Sequence, residues 1–409
     1  MKKVNRVEQQ IIRKNNPIYD VVDQYCFYSK NVYNQANYII RQEFINNNNK
    51  LSAYDVQKLM QSMDCYKECG SQAAQKTIQL VDKMWKSYFK AIKDWKKNPS
   101  KYLGMPKLPK YLPKDGRQVF MLKNIQCSLN NGQFRIAFKP FGGYTVKTHA
   151  VGKLMQCRFV PKDDYYVMEI VYEIEVPETE NIVSERIAAI DLGVDNLMTI
   201  TTNCDVSPII INGKPLKSIN QYYNKKISEM RSALKLRNDS DWSNEMQRFT
   251  TKRNNQVDDY IQKSTKMVVN FCKCNDIDTL VCGYNSGWKQ DTNMGKRVNQ
   301  KFVSIPYLSI VQRLEYKCEN EGIKFIKTNE SYTSGTSFLD GEEPIEKNYN
   351  KDRRIYRGLF QSEKGVYINA DVNGSYQIMK KAFPKAFANG IVDAGSHPVV
   401  VNIPLQTVK

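Results

Sequence analysis

Two aspartates are the residues in this sequence best suited to chemistry. Asp191 lies in IAAIDLG (187–193), where five of the six residues from Ile187 to Leu192 are apolar, so a buried strand is predicted. A carboxylate there is costly unless it binds a cation or is well hydrogen-bonded, and Gly193 allows a sharp backbone turn beside it. A metal ligand at a strand end and a hydrogen-bonded turn aspartate both fit this pattern.

Asp371 is the second candidate. It follows a short strand pattern and precedes a helical pattern with Tyr376, Met379 and Phe383 on one face, so it could be a metal ligand or a helix N-cap. Two-metal phosphodiester hydrolysis needs several carboxylates in one site, because its Mg²⁺ ions lie about 3.5–4 Å apart and bridge a phosphate. Two aspartates are not enough for such a site, which therefore requires a glutamate as well.

The elements that must position these residues form an α/β pattern from about residue 182. Three strand patterns are followed by two helix patterns and then by two strands with a helix between them, which predicts an RNase H-like sheet. The strands are expected at 187–193, 197–202, 208–212, 277–283 and 323–327, and the helices between Leu216 and Leu234, between Val257 and Phe271, and between Tyr307 and Gly322.

The first part of the chain has a different pattern. Residues 16–105 are predicted to be helical, with one clear amphipathic helix after Gly70, and four prolines place a boundary near residue 105. Short β-branched and aromatic runs between 117 and 176 predict a small β-barrel or sandwich. Residues 177–181 are predicted to be a linker.

The charge balance favours a polyanionic partner. The chain has 61 basic and 42 acidic residues, a net charge of +19, and nucleic acid is the commonest partner of such a surface. A solvated basic surface, or a composition set by an AT-rich genome, would also fit. The candidate contacts lie on the basic helix, on the helix that starts at Lys214 and in the loop 287–302: Lys86, Lys90, Lys93, Lys217, Lys225, Lys226, Arg231, Lys289, Lys296 and Arg297.

The sequence also bears on location. It has no run of about 18 apolar residues and no apolar signal core, so we expect no membrane partner and a cytoplasmic, nucleoid-associated protein. The ten cysteines have no zinc-ligand spacing, and we expect reduced thiols in the core.

Four motifs together resemble the TnpB family, transposon-encoded relatives of type V CRISPR effector nucleases. They are AAIDLGVDNLMTI (188–200), INGKPLKSINQYYNKKI (211–227), NESYTS (329–334) and INADVNGSYQI (368–378). The resemblance implies an RNA-guided DNA endonuclease with a RuvC-like, RNase H-like domain and two Mg²⁺ or Mn²⁺ ions. Its implied partners are a guide RNA, target double-stranded DNA and the displaced single strand, with cleavage next to a short transposon-adjacent motif.

The resemblance also implies a domain layout. Residues 1–15 would begin a wedge β-barrel, 16–105 would form a helical recognition domain, 106–181 would complete the barrel and the linker, and 182–409 would form the nuclease domain. A nuclease-dead RNA-guided repressor and a type V CRISPR effector that uses a crRNA remain alternatives.

The chain departs from the family pattern at its glutamate. Family members usually carry the second catalytic carboxylate at the end of the fourth strand, where this chain has Gly283. Glu330, at the end of the next strand, is the predicted replacement, since adjacent strands lie about 4.8 Å apart. Glu315 is a weaker candidate, and Glu330 could instead be an ordinary loop residue. The predicted catalytic and metal-binding set is Asp191, Glu330 and Asp371.

A second departure concerns zinc. Family members often carry two CxxC pairs before the last aspartate, but 331–343 and 358–371 contain no cysteine. Ser337, Asp340, Gln361 and Lys364 stand roughly where the thiolates would be. The sequence therefore predicts a degenerate zinc-finger-like insertion at 331–371 that binds no zinc and is held by packing of Phe338, Leu359 and Phe360.

Overall fold

The computed structural model describes residues 1–238, 241–285, 303–356, 358–388 and 398–405. The chain has a mixed α/β fold and divides into two compact units. One unit is Lys3–Glu175, and the other comprises Met1–Lys2 and Val176–Lys409. Among the described residues, no helix has the length and apolar character required to span a bilayer.

The unit Lys3–Glu175 contains four helices, α1 (Tyr19–Asn47), α2 (Ala53–Met60), α3 (Asp64–Cys69) and α4 (Ser71–Lys97). The predicted helix after Gly70 is confirmed as α4. The first part of its apolar stripe, which includes Ile78 and Trp85, is buried. The Trp85 indole donates a hydrogen bond to Asn37 of α1 at 2.9 Å, so the polar edge of this buried ring is satisfied.

The strands of this unit form two sheets, with orders β1-β7-β6-β2 and β3-β4-β5. Strands were predicted in this region, but the short β5 was not. The closed wedge barrel and the domain boundaries within this unit stay predictions. The strands are β1 (Lys2–Ile12), β2 (Phe120–Lys123), β3 (Cys127–Asn130), β4 (Gln133–Ile136), β5 (Thr145–Lys147), β6 (Lys153–Pro161) and β7 (Tyr166–Val176).

The second unit is built on a six-stranded sheet. Its strands are β8 (Ile187–Leu192), β9 (Asn196–Thr202), β10 (Ile209–Asn212), β11 (Thr279–Gly283), β12 (Lys324–Thr328) and β15 (Val399–Val401). The order is β12-β11-β8-β9-β10-β15. β8, β9 and β10 pair antiparallel, whereas β11 pairs parallel with both β8 and β12. The five predicted strands are confirmed, and β15 was not predicted because a three-residue run gives no periodic signal.

Alternation along β8 distributes its residues between two hydrophobic clusters. Ala188 and Ile190 belong to the cluster that contains residues of α6 (Asn244–Cys274) and α7 (Tyr307–Asn320). Ile187 and Ala189 belong to the cluster that contains Ile378 and Met379 of α8 (Ala370–Ala382). Because side chains alternate along a strand, Asp191 lies on the α8 side.

Two further elements complete this unit. Helix α5 (Lys214–Asn238) contacts α6. The antiparallel hairpin of β13 (Leu359–Gln361) and β14 (Tyr367–Asn369) leads directly into α8. Across both units all ten cysteines are free thiols, and most are buried, as predicted.

Candidate active site

Three parallel strands bring the candidate residues to one edge of the sheet. Asp191 lies near the end of β8, and the pairing of Ile190 with Cys282 brings the end of β11 beside it. Gly283 in turn pairs with Thr328 at the end of β12, two residues before Glu330. Since these strands run parallel, their carboxyl ends meet at the same edge, where α/β folds commonly place their sites.

The Glu330 carboxylate lies in the space beside Gly283. A Cβ atom on Gly283 would be 3.2 Å from Glu330 Oε2 and 2.6 Å from Ile378 Cδ1. The glutamate that follows the outer strand β12 therefore reaches the position from which a side chain at 283 would project. Its backbone is held in place, because its N–H donates to Asn285 at 3.2 Å and its C=O accepts from the Thr333 hydroxyl at 2.7 Å.

Asp191 lies directly against helix α8. A Cβ atom on Gly374 would be 2.7 Å from Asp191 Oδ2, closer than any real contact, so the aspartate can occupy this position only because residue 374 is glycine. The Ser375 hydroxyl donates to the Ala189 carbonyl at 2.9 Å and fastens the helix to β8. The close approach of helix and strand thus sets the position of the carboxylate.

Asp371 stands in the first turn of α8, but it is not the helix cap. The side chain of Asn369 accepts from the N–H groups of Asp371 and Val372 at 2.9 and 3.1 Å, so Asn369 is the N-cap and the N-cap alternative for Asp371 is wrong. The Asp371 carboxylate instead accepts hydrogen bonds from Asn196 at 2.7 Å and from Arg354 at 3.0 Å.

Negative charge is concentrated at this edge. Burial, followed by the charges of Asp371 and Glu330, raises the pKa of Asp191 well above its usual value, and the charge of Arg354 and a hydrogen bond from the Leu192 backbone oppose this shift. Tyr307 is buried nearby and donates to the Gly193 carbonyl at 3.0 Å. Burial raises the pKa of this phenol, and the charges of Asp191 and Glu330 raise it further.

The donor set at this edge suits a hard divalent cation. It consists of carboxylate oxygens, and a cation would relieve the mutual repulsion that Asp191 experiences. In the described part of the chain, no three Asp, Glu, His or Cys side chains already enclose a metal position. Asp371 is hydrogen-bonded instead to Asn196 and Arg354. The charges of Asp371 and Glu330 act on Asp191, but the three carboxylates do not form a closed ligand shell.

An open cavity of about 570 Å³ lies beside Asp371. Its wall combines the β8–β9 turn with the segment that precedes β13, and it includes the exposed ring of Tyr356 and the Arg354 side chain. This volume lies within the usual range for ligand sites. The lining residues are Gly193, Val194, Asp195, Asn196, Arg354, Tyr356, Gly358 and Asp371.

The predicted nucleic-acid contacts fall into three groups. Lys86, Lys217 and Lys226 form ion pairs with Asp82, Asp195 and Glu229 at 2.7, 2.8 and 2.9 Å. Exposed side chains without an ion pair among the described residues are those of Lys90, Lys93, Lys225 and Arg231, and the last lies 5.9 Å from the Trp242 ring. Lys289, Lys296 and Arg297 lie outside the described residues.

Family models match two segments of the chain. Residues 169–289 match OrfB_IS605, described as a probable transposase, and residues 307–378 match the Cas12f1-like TNB domain. The chain is TnpB-like, as its motifs predict. The first matched segment of this TnpB-like chain contains Asp191 and Gly283, and the second contains Glu330 and Asp371.

Solved structures similar to this TnpB-like chain include two Cas12f complexes. A cryo-EM structure of a Cas12f1–sgRNA–target DNA complex is 17% identical over 92% of this chain and 98% of that chain, with a TM-score of 0.37. A CRISPR–Cas12f ternary complex is 15% identical over 88% of this chain and 80% of that chain, also with a TM-score of 0.37. No curated protein matches the chain.

Three residues of this edge were not predicted from the sequence. Arg354 and Asn196 hold Asp371, and Gly374 makes room for Asp191. Only Gly374 left a local signal, since a glycine inside a helical pattern costs stability and indicates a packing reason. The other two act across more than 15 residues of sequence, where no spacing rule applies.

Proposed function

We propose that this TnpB-like chain is an RNA-guided DNA endonuclease with a RuvC-like, two-metal active site at the carboxyl edge of its six-stranded sheet. The observation that carries the proposal is the approach of Asp191, Asp371 and Glu330, from separate elements of the chain, at the edge where β8, β11 and β12 end. Burial and the charges of the other two residues raise the pKa of Asp191 accordingly. Such mutual repulsion between carboxylates is typical of a site built for cations.

Each residue has a proposed role. Asp191, Glu330 and Asp371 would hold Mg²⁺ or Mn²⁺, which when bound supplies the positive charge that activates a water and stabilises the leaving 3′ oxygen. Asn196 orients the Asp371 carboxylate. Arg354, whose side chain is 39% exposed, presents a guanidinium beside the cavity, where it can bind a DNA phosphate.

The proposed partners are a guide RNA, target double-stranded DNA and the displaced strand, with cleavage next to a short transposon-adjacent motif. A net charge of +19 supports this proposal, because phosphate neutralisation releases counterions and favours binding. We propose a cytoplasmic, nucleoid-associated protein that binds no zinc. Purified protein should carry RNA, and its DNA affinity should fall steeply with added salt.

The decisive variant is Glu330→Ala. It should abolish cleavage of a target plasmid while guided DNA binding stays nearly unchanged, because the metals serve chemistry more than docking. Glu315→Ala is the matched control, since Glu315 lies on α7 in an exposed ion pair with Lys327 at 2.8 Å. Near wild-type cutting by Glu330→Ala would refute the role of this glutamate.

A second variant tests the geometry at Gly283. In the Glu330→Ala background, Gly283→Glu should restore part of the cleavage, because residue 283 projects into the space that Glu330 fills. The flexible end of Ile378, at 2.6 Å, must move to admit the new side chain. If the wild-type protein binds guided DNA but never cuts with Mg²⁺ or Mn²⁺, the nuclease-dead alternative is supported instead.

A further inference from the structure

We propose that Asp340 is a positioning residue that joins the two turns of the segment 331–371 in place of a metal ion, and so holds Asp371 and Arg354 in their places. The structural part of this proposal stands alone, whereas its effect on cleavage rests on the proposed function. The last cysteine of the chain is Cys318, so thiolates cannot join these turns.

The first turn is fixed to the active-site helix. Asn373 of α8 is fully buried; its side chain accepts from the Phe338 N–H at 2.9 Å and donates to the Thr336 carbonyl at 2.8 Å. Gln377 of the same helix donates to the Glu342 carbonyl at 3.2 Å. Two successive turns of α8 are therefore hydrogen-bonded to the backbone on either side of Asp340.

Asp340 reaches from this first turn to the second. Its Oδ2 accepts from the Glu363 N–H at 2.7 Å, across 23 residues of sequence. Burial tends to raise the pKa of Asp340, but hydrogen bonds from Ser337 and from the backbones of Glu363 and Lys364, with the charge of Arg353, bring it below its usual value. The Oδ1 atom is buried without a partner at full hydrogen-bonding geometry, so the link to the second turn rests on Oδ2.

The joined turns hold both groups that meet at Asp371. Glu342, in the first turn, accepts from the Ser337 N–H at 2.7 Å and from Arg353 at 2.6 Å, which fixes the residue preceding Arg354. The second turn closes the hairpin whose strand β14 ends at Asn369, the cap that precedes Asp371. A loose second turn would free the hairpin and, with it, the start of α8.

These contacts give Asp340 the cross-linking role that a metal ion has in a zinc knuckle. A charged acceptor that binds backbone N–H groups is stronger than a neutral one, and it needs no cofactor. The packing of Phe338 on Tyr376, with ring centroids 4.4 Å apart, supports the first turn only. Packing was the sole support predicted from the sequence, and the carboxylate adds the link between the turns.

The first test measures hydrogen–deuterium exchange in the protein bound to its guide RNA, without target DNA. Asp340→Asn keeps the shape but loses the charge, and exchange at 359–369 should become about tenfold faster, since one charge-assisted hydrogen bond is weakened. Asp352→Asn is the matched control, because it removes the same charge from an exposed residue of the same segment and should change nothing. Unchanged exchange in both Asp340→Asn and Asp340→Ala would overturn the proposal, whether or not the protein cuts DNA.

The second test measures cleavage under single-turnover conditions. Asp340→Asn should lower the cleavage rate about tenfold with guided DNA binding unchanged, because only the positioning of Asp371 and Arg354 suffers. In an Arg354→Ala background the same change should cost clearly less, since residues that act through one another are not additive. Full additivity, or equal losses in binding and cleavage, would show a general folding role and contradict the proposal. A wild-type protein that cannot cut would refute the proposed function but leave the exchange test valid.

Discussion

Two regions of the candidate site place their carboxylates in opposite environments. They are the strand edge, where β8, β11 and β12 end, and the helix start, which is the first turn of α8. At the strand edge, Asp191 is pressed against α8 at Gly374 and is opposed by the charges of Asp371 and Glu330. At the helix start, Asp371 accepts hydrogen bonds from Asn196 and Arg354. One region accumulates unfavourable charge, and the other already has a cationic partner.

This difference shows where a cation would gain most. A divalent ion at Asp191 would relieve repulsion that the fold itself creates, and it would meet no cationic side chain paired with that carboxylate among the described residues. At Asp371 an ion must compete with a guanidinium at 3.0 Å. The two regions should therefore respond differently to the same chemical change, and three experiments test this.

The largest difference is expected between Asp191→Asn and Asp371→Asn. Both should abolish cleavage, but without divalent ions only Asp191→Asn should raise the melting temperature at neutral pH. The pKa of Asp191 is raised in the folded protein, so ionisation destabilises the wild type as pH rises from the ordinary carboxyl range through that raised pKa. The advantage of Asp191→Asn should therefore grow with pH, as measured by thermal melts in EDTA.

Asp371→Asn provides the contrast in these melts. It removes an ion pair and should lower stability by about 1 kcal/mol. Added Mg²⁺ should raise the melting temperature of the wild type but not of Asp191→Asn. If the two variants shifted the melting temperature in the same direction at every pH, the contrast between the two regions would be wrong.

Arg354→Ala should have an intermediate effect on cleavage. Removal of the guanidinium leaves Asp371 with Asn196 but without its second hydrogen-bond partner, and we expect a loss of about 10- to 100-fold in the cleavage rate. Arg354→Lys should recover part of this rate, since the charge returns without the planar fork. A cleavage rate that rises in Arg354→Ala would mean that Arg354 inhibits the site.

Gly374→Ala should have the smallest effect of the three. The added Cβ would be 2.7 Å from Asp191 Oδ2, so the carboxylate must shift, and a loss of about tenfold in cleavage is expected. Alanine favours the helix by about 1 kcal/mol, so the melting temperature should hardly fall. Gly104→Ala, where nothing lies within 4 Å of the new atom, is the control that should cut normally.

The strand edge could be predicted from the sequence further than the helix start. Asp191 follows from an apolar run of strand length, which is a local pattern. Glu330 was predicted from the TnpB resemblance, which implies a carboxylate where this chain has Gly283, together with the spacing of neighbouring strands. The sequence could not show that the Glu330 carboxylate lies beside Gly283, because this depends on the register in which β11 pairs with β12.

For the helix start, the sequence predicted the position of the helix but not the hydrogen-bond partners of Asp371. The helical pattern after Asp371 was correct, yet the cap is Asn369 and the carboxylate serves Arg354 and Asn196. These partners come from a loop and from the start of β9, and no periodicity connects them with Asp371. Asp340 was noted only as a missing thiolate, because its acceptor role depends on backbone N–H groups that the sequence does not reveal.

The carboxylates of the candidate site are synthesised at different times, because they lie far apart in the chain. Asp191 and Asp371 are 180 residues apart in the chain, and a ribosome adds about 5–20 residues per second. For roughly 10 to 40 seconds, a nascent chain therefore displays Asp191 while the helix that carries Asp371 does not yet exist. The newborn protein holds no complete set of carboxylates during that interval, and the site arises only when the chain has been made as far as α8.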